Sequence, residues 1–188
     1  MANIVEMSSE LSMTLYNTTT HYGSISKIFH WLIFLLVVGM LLVGFFMEDI
    51  TDPNLRSTVI NLHKLNGLLI LVLMILRICW ALVNPKPRLE DMPAWQRVLA
   101  HSVHILLYVF LIAMPIAGWL MTVYGGKPPH LFHWALNLPL QENKLLKEFF
   151  KWLHYQLALI IIIFVSLHTF AALYHYFIKK DGIMQRML

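Results

Sequence analysis

Histidine is the residue type here with the most chemistry to offer and the least ordinary placement. The chain holds 10 histidines in 188 residues, most of them inside or beside apolar runs. A histidine in a membrane-crossing helix is costly and marks function by default. In the last apolar run His154 and His168 stand fourteen residues apart. In a helix that is about 21 Å of rise and nearly four whole turns, so both point to one face. His30 lies near the start of the first run and His63 near the start of the second. Antiparallel helices then bring the four into two layers, His63 with His154 and His30 with His168. Opposed neutral imidazoles at each depth suit the axial positions of a haem iron in the core of a helix bundle. Zinc would ask for four clustered nitrogen or sulfur ligands, and these donors separate into pairs with no carboxylate or thiolate at matching depth. One such histidine is as readily explained by a hydrogen bond between helices; four in two layers are not.

The elements that must hold these side chains are legible in the composition. Hydrophobic residues make up 59% and charged residues 13%, about half the charged share of a soluble domain. A soluble enzyme and a disordered chain are both excluded. The length suits about four spans with short connections rather than a ten- or twelve-span transporter. A single cysteine, Cys79, excludes an internal disulfide, a cysteine metal cluster and covalently attached c-type haem. The net charge of +4 reads as Lys and Arg beside a membrane, with no nucleic-acid partner.

The apolar runs predict spans at 28–47, 62–83, 98–124 and 152–178, each a helix because backbone groups in lipid must pair within their own segment. The expected fold is an all-α integral membrane protein, a four-transmembrane-helix bundle enclosing two haems over 21–188. Residues 1–20 are polar and expected to be a mobile tail. The piece Pro128 to Leu140 is apolar but too short to span and is expected at the membrane interface. An even number of spans puts both termini on one side. Of the 14 Lys and Arg, eight fall on that side: Lys27, Arg77, Lys86, Arg88, Arg97, Lys179, Lys180 and Arg186. The bias predicts cytoplasmic termini. Lys127, Lys144, Lys147 and Lys151 leave the other side basic as well.

Further residues fit the haem reading. Arg77 follows His63 by fourteen residues on the same helix face. It is a cation for haem propionates, which Arg pairs bidentately, or one that snorkels to the surface. Gly67, Gly39 and Gly44 would let a flat macrocycle, or simply another helix, come close. His104 could serve the deeper haem as a propionate partner or a rival ligand. His101, His130 and His133 are expected to be peripheral. His175, two turns past His168, could hydrogen-bond a quinone carbonyl or relay a proton.

At this point the residues resemble the prokaryotic cytochrome b561 family from about Tyr22 to Leu188. The resemblance rests on Tyr22-Gly23 through His30-Trp31, Asn61-x-His63-Lys64-x-x-Gly67, Met92-Pro93-Ala94-Trp95-Gln96-Arg97, and Val103-His104 with Tyr108. It continues in Pro115-x-x-Gly118-Trp119-Leu120-Met121, Leu153-His154, Leu167-His168, and Lys180-Asp181-Gly182 with Arg186-Met187-Leu188. It implies two non-covalent b haems with His30, His63, His154 and His168 as ligands, and ubiquinone as electron acceptor. The best-defined relative oxidises superoxide on the outer side of the membrane and reduces ubiquinone within it, with a histidine at the position of His175 near the quinone. The chain departs from that relative at Ile28, where it carries serine.

The expected function is therefore a di-haem electron carrier in a bacterial inner membrane. It would pass single electrons from an outer donor, superoxide being a candidate, to quinone, as a superoxide:quinone oxidoreductase. Two rival readings are a membrane anchor and electron outlet for a larger dehydrogenase, and a histidine-based metal transporter. The latter would need intramembrane carboxylates, which the spans lack.

Overall fold

The computed structural model describes residues 15–88 and 92–188. Four long helices dominate: α1 Ser24–Phe46, α2 Pro53–Val83, α3 Ala94–Tyr124 and α4 Lys144–Tyr174. All four are long and apolar enough to cross a membrane, and consecutive helices pack on one another. Their outward faces carry Leu35, Phe46, Leu69, Ile75, Val109, Ile163 and Phe170 in the open. In a protein dissolved in water such a belt would be a large unpartnered apolar surface; in a bilayer it is the surface lipid covers.

Each helix runs several residues beyond the predicted apolar span at its amino end. In α2 and α4 the added turns start at side-chain caps. Asp52 accepts a hydrogen bond from the Leu55 N–H at 2.8 Å, with Pro53 in the first turn. Asn143 accepts from the Leu146 N–H at 3.1 Å. Apolar runs therefore mark the bilayer-facing part of each helix, and the caps mark where it begins.

The fully buried centre is Ile33 and Val37 of α1, Ile70 and Met74 of α2 and Ile161 of α4, with Tyr108, Phe110 and Leu111 of α3 packed against it. Ile161 lies seven residues from both His154 and His168, about 10 Å of rise from each. An apolar plug thus separates the two histidine depths.

Residues 22–31 and residues 186–188 meet at one end of the bundle, here the terminal end. Tyr22 N–H donates to the Arg186 carbonyl at 3.3 Å, Lys27 Nζ to the Leu188 carbonyl at 2.8 Å, and Trp31 Nε1 to the Met187 carbonyl at 3.1 Å. Part of the expected tail is fastened here. Asn17 is buried, its Nδ2 donates to the Pro85 carbonyl at 3.0 Å, and Tyr16 stacks on Trp80 with ring centres 5.4 Å apart. Residues 1–14 of that stretch lie outside the described residues.

At the far end, the connection between α3 and α4 forms a two-stranded antiparallel hairpin, β1 His130–Leu131 with β2 Trp134–Ala135. Its turn passes through Phe132, whose φ of 54° is left-handed.

Candidate haem site

The four predicted histidines meet in the two predicted pairs. His63 of α2 faces His154 of α4 near the far end, with ring centres 6.3 Å apart and planes at 73°. His30 of α1 faces His168 of α4 near the terminal end, at 6.0 Å and 67°. An imidazole nitrogen binds a metal at about 2 Å and lies about 1 Å from its own ring centre, so two trans imidazoles on one iron need centres about 6 Å apart. Both pairs have that spacing. Among the described residues no three His, Cys, Asp or Glu side chains form a group able to share one metal ion, so the donors come in twos.

The far pair is the better formed. His154 Nδ1 lies 3.1 Å from the Met114 carbonyl. A carbonyl only accepts, so Nδ1 carries the proton and Nε2 is left bare for a metal, the usual way a protein fixes a ligating ring. Pro115 interrupts the backbone ladder of α3 beside this carbonyl. His63 Nδ1 is buried without a partner, which in a native structure calls for an explanation.

Two glycines clear the space for these rings. A Cβ on Gly118 would sit 2.9 Å from Cε1 and Nδ1 of His154, and one on Gly44 would sit 3.3 Å from Cε1 of His63. Between the pair opens an apolar cavity lined by both histidines, with Met40, Gly67, Met114, Pro115, Gly118 and Trp119 among its walls. Gly67 faces Met40 and Pro115, whereas nothing lies within 4 Å of a Cβ on Gly39. The apolar walls, opposed donors and missing side chains fit a flat macrocycle.

The terminal-end pair is more crowded. His168 has a second neighbour, His104, whose ring centre is 5.1 Å away against 6.0 Å for His30. Arg77 joins this group, with Nη2 donating to His30 Nδ1 at 3.2 Å and the guanidinium 5.5 Å from the Tyr108 ring centre. Arg only donates, so this His30 carries its proton on Nε2. An imidazole that bound a metal through Nε2 would carry its proton on Nδ1, so this bond from Arg77 and such a role for His30 exclude each other.

Sequence reasoning brings His30, His63, His154, His168 and Arg77 to these two layers, and the structure sets His175 apart at the end of α4. His175 Nδ1 donates to Asp181 Oδ2 at 2.5 Å, where the helix widens into a π turn and Lys180 and Gly182 reverse the chain with positive φ. Burial alone would raise the Asp181 carboxyl. The hydrogen bonds from His175 and the Ile183 N–H outweigh it and hold the group below the usual carboxylate range. Asp181, Gly118 and the Met114 carbonyl were not singled out as site groups. Only a Pro-x-x-Gly run inside a span hints at the latter two. His101 donates to its own helix at Arg97, His130 and His133 are exposed, and Ile28 is 64% exposed.

The family model of prokaryotic cytochrome b561 matches residues 21–188. The chain is 33% identical over 180 residues to cytochrome b561 homolog 2 of Escherichia coli strain K12, covering 94% of this chain and 95% of that protein. It is 30% identical over 165 residues to cytochrome b561 homolog 1 of the same strain, covering 85% and 92%. It is 31% identical over 160 residues to the probable superoxide oxidase CybB of Yersinia pestis, covering 85% and 90%. With opposed imidazoles inside a four-helix membrane bundle and a match over nearly its whole length, the chain belongs to the prokaryotic cytochrome b561 family, multi-pass bacterial membrane proteins for which a b-type haem is implied.

Proposed function

We propose that this protein is a di-haem b cytochrome of the bacterial inner membrane, termini in the cytoplasm, that carries single electrons between an outer donor and ubiquinone. The observation behind this reading is the ligand spacing: two imidazole pairs, at 6.3 and 6.0 Å, on either side of an apolar plug. When bound, haem iron supplies the one-electron chemistry.

The chain's own residues hold, orient and insulate. His63 with His154 would hold the outer group and His30 with His168 the inner one. Met114 keeps the His154 ring turned with Nε2 inward. Ile33, Met74 and Ile161, each at most 2% exposed, exclude water between the layers. Arg77 would supply a cation for the carboxylates of the inner group. At the inner surface Asp181 holds the proton of His175 on Nδ1, so Nε2 is turned away from the carboxylate and free to exchange a proton with a quinone oxygen. Superoxide is the candidate donor. A relative's name points to it, and Lys64, Lys127, Lys144, Lys147 and Lys151 around the outer end would steer a small anion.

Reduced-minus-oxidised spectra with a haem-to-protein ratio test the reading. About two b haems per chain are expected, and His154→Ala and His168→Ala should each remove a different one. A colourless protein, or both haems retained in either variant, overturns the ligand assignment. Superoxide-driven ubiquinone reduction no faster than in haem-free protein removes superoxide as donor.

A further inference from the structure

The segment between α3 and α4, whose Pro129 lines the outer cavity, is held by side chains of the bundle itself. Asn61 of α2 brackets one residue of it: Nδ2 donates to the His130 carbonyl at 2.9 Å, and Oδ1 accepts from the His130 N–H at 2.9 Å. Lys64 Nζ donates to the Lys127 carbonyl at 2.8 Å, and Trp119 Nε1 of α3 to the Leu136 carbonyl at 2.9 Å. The hairpin closes on itself through the Leu136 N–H and the Pro129 carbonyl at 2.8 Å. Every one of these bundle bonds goes to backbone, so they fix where the segment runs irrespective of its side chains. Pro129 is fully buried and lines the same cavity as His63 and His154, whereas Phe132 and Trp134 beyond it are 88% and 77% exposed.

The latch grows from the ligand helix. Asn61 and Lys64 flank His63 in sequence, and Trp119 follows the Gly118 that clears the His154 ring. The latch therefore shares a turn of α2 with His63 and a turn of α3 with the glycine that packs against His154. A polar bracket of two hydrogen bonds to a single residue is a specific device; an ordinary surface loop is held by its own turns.

We propose that Asn61 is a positioning residue that latches the Lys127–Leu136 segment as a fixed cover on the outer cavity, so that this mouth admits small diffusible electron donors and excludes a docking redox protein. The proposal rests on the reading of that cavity as the outer haem site and names the class of donor it serves.

The test uses the protein as isolated, in lipid nanodiscs. In Asn61→Ala, amide exchange at His130 and Leu136 should quicken by about tenfold. A reporter thiol on the cavity wall, Thr122→Cys on a Cys79→Ala background, should react with a small methanethiosulfonate and resist a maleimide bearing a long polyethylene glycol. Adding Asn61→Ala should abolish that discrimination. His130→Ala, which keeps the bracketed backbone, should match the parent in both measurements. Should Asn61→Ala fail to fold, Trp119→Phe removes another of the bonds and should raise exchange at Leu136. Unchanged exchange in these variants, or a parent thiol equally reactive to both reagents, overturns the latch. Neither readout depends on haem chemistry, so loss of the electron-transfer reading would appear separately, in the spectra.

Discussion

His154 is seated by three contacts: its ring beside His63, an Nδ1–H on the Met114 carbonyl, and an edge against Gly118. The third contact is the most sensitive to change. Gly118→Ala places a methyl 2.9 Å from the ring, and overpacking of that kind costs about 1–3 kcal/mol. The expected outcome is loss or displacement of one haem, read as a lower haem-to-protein ratio and a lower melting temperature. Gly39→Ala, with nothing within 4 Å, should change neither. Asp181 is the second residue with a sharp expectation. Its carboxyl is held below the ordinary 3.8, facing His175, Lys179 and the Ile183 N–H. A depressed carboxyl contributes stability above its unfolded value, and that contribution is lost as pH falls through the folded one. Asp181→Asn should thus lower stability by about 1 kcal/mol at pH 7. Melting curves of variant and parent should converge when both are measured well below pH 4.

Helix caps and bilayer spans are different kinds of boundary, and the difference explains where the sequence reading stopped short. Charges such as Lys27 and Lys151 look like ends, yet α1 and α4 run through them, and α4 begins after its Asn143 cap. A long side chain within a helix can still reach water or a carbonyl, as Lys64 does at Lys127. Asn143→Ala removes the acceptor for the Leu146 N–H and should cost about 1 kcal/mol. Thermal melting in detergent checks it, with the haem spectrum expected to stay unchanged because the first turn of α4 lies nearly three turns before His154.

At the scale of the whole molecule, the terminal end is closed by segments distant in sequence. Asn17 binds the connection after α2 through Pro85 and the start of α1 through the Gly23 N–H and Ser26 Oγ, at 3.0, 3.0 and 2.7 Å. Asn17→Ala strands a buried N–H and carbonyl, so about 2–3 kcal/mol of stability should go, with faster amide exchange at Gly23. A polar opening stretch gives no sign of this in its composition. Its partners belong to other parts of the chain, and only folding reveals them.

The four-helix membrane bundle was legible from apolar run length alone, because lipid leaves the backbone no alternative to the helix. The histidine depths were legible as well, since a straight helix converts sequence spacing into height and angle. Three things waited on the tertiary structure: the ring spacings that set both His30 and His104 beside His168, the carbonyl and glycine that seat His154, and the cover latched by Asn61. Each depends on contacts between residues far apart in the chain, and no local pattern encodes a distance across the bundle.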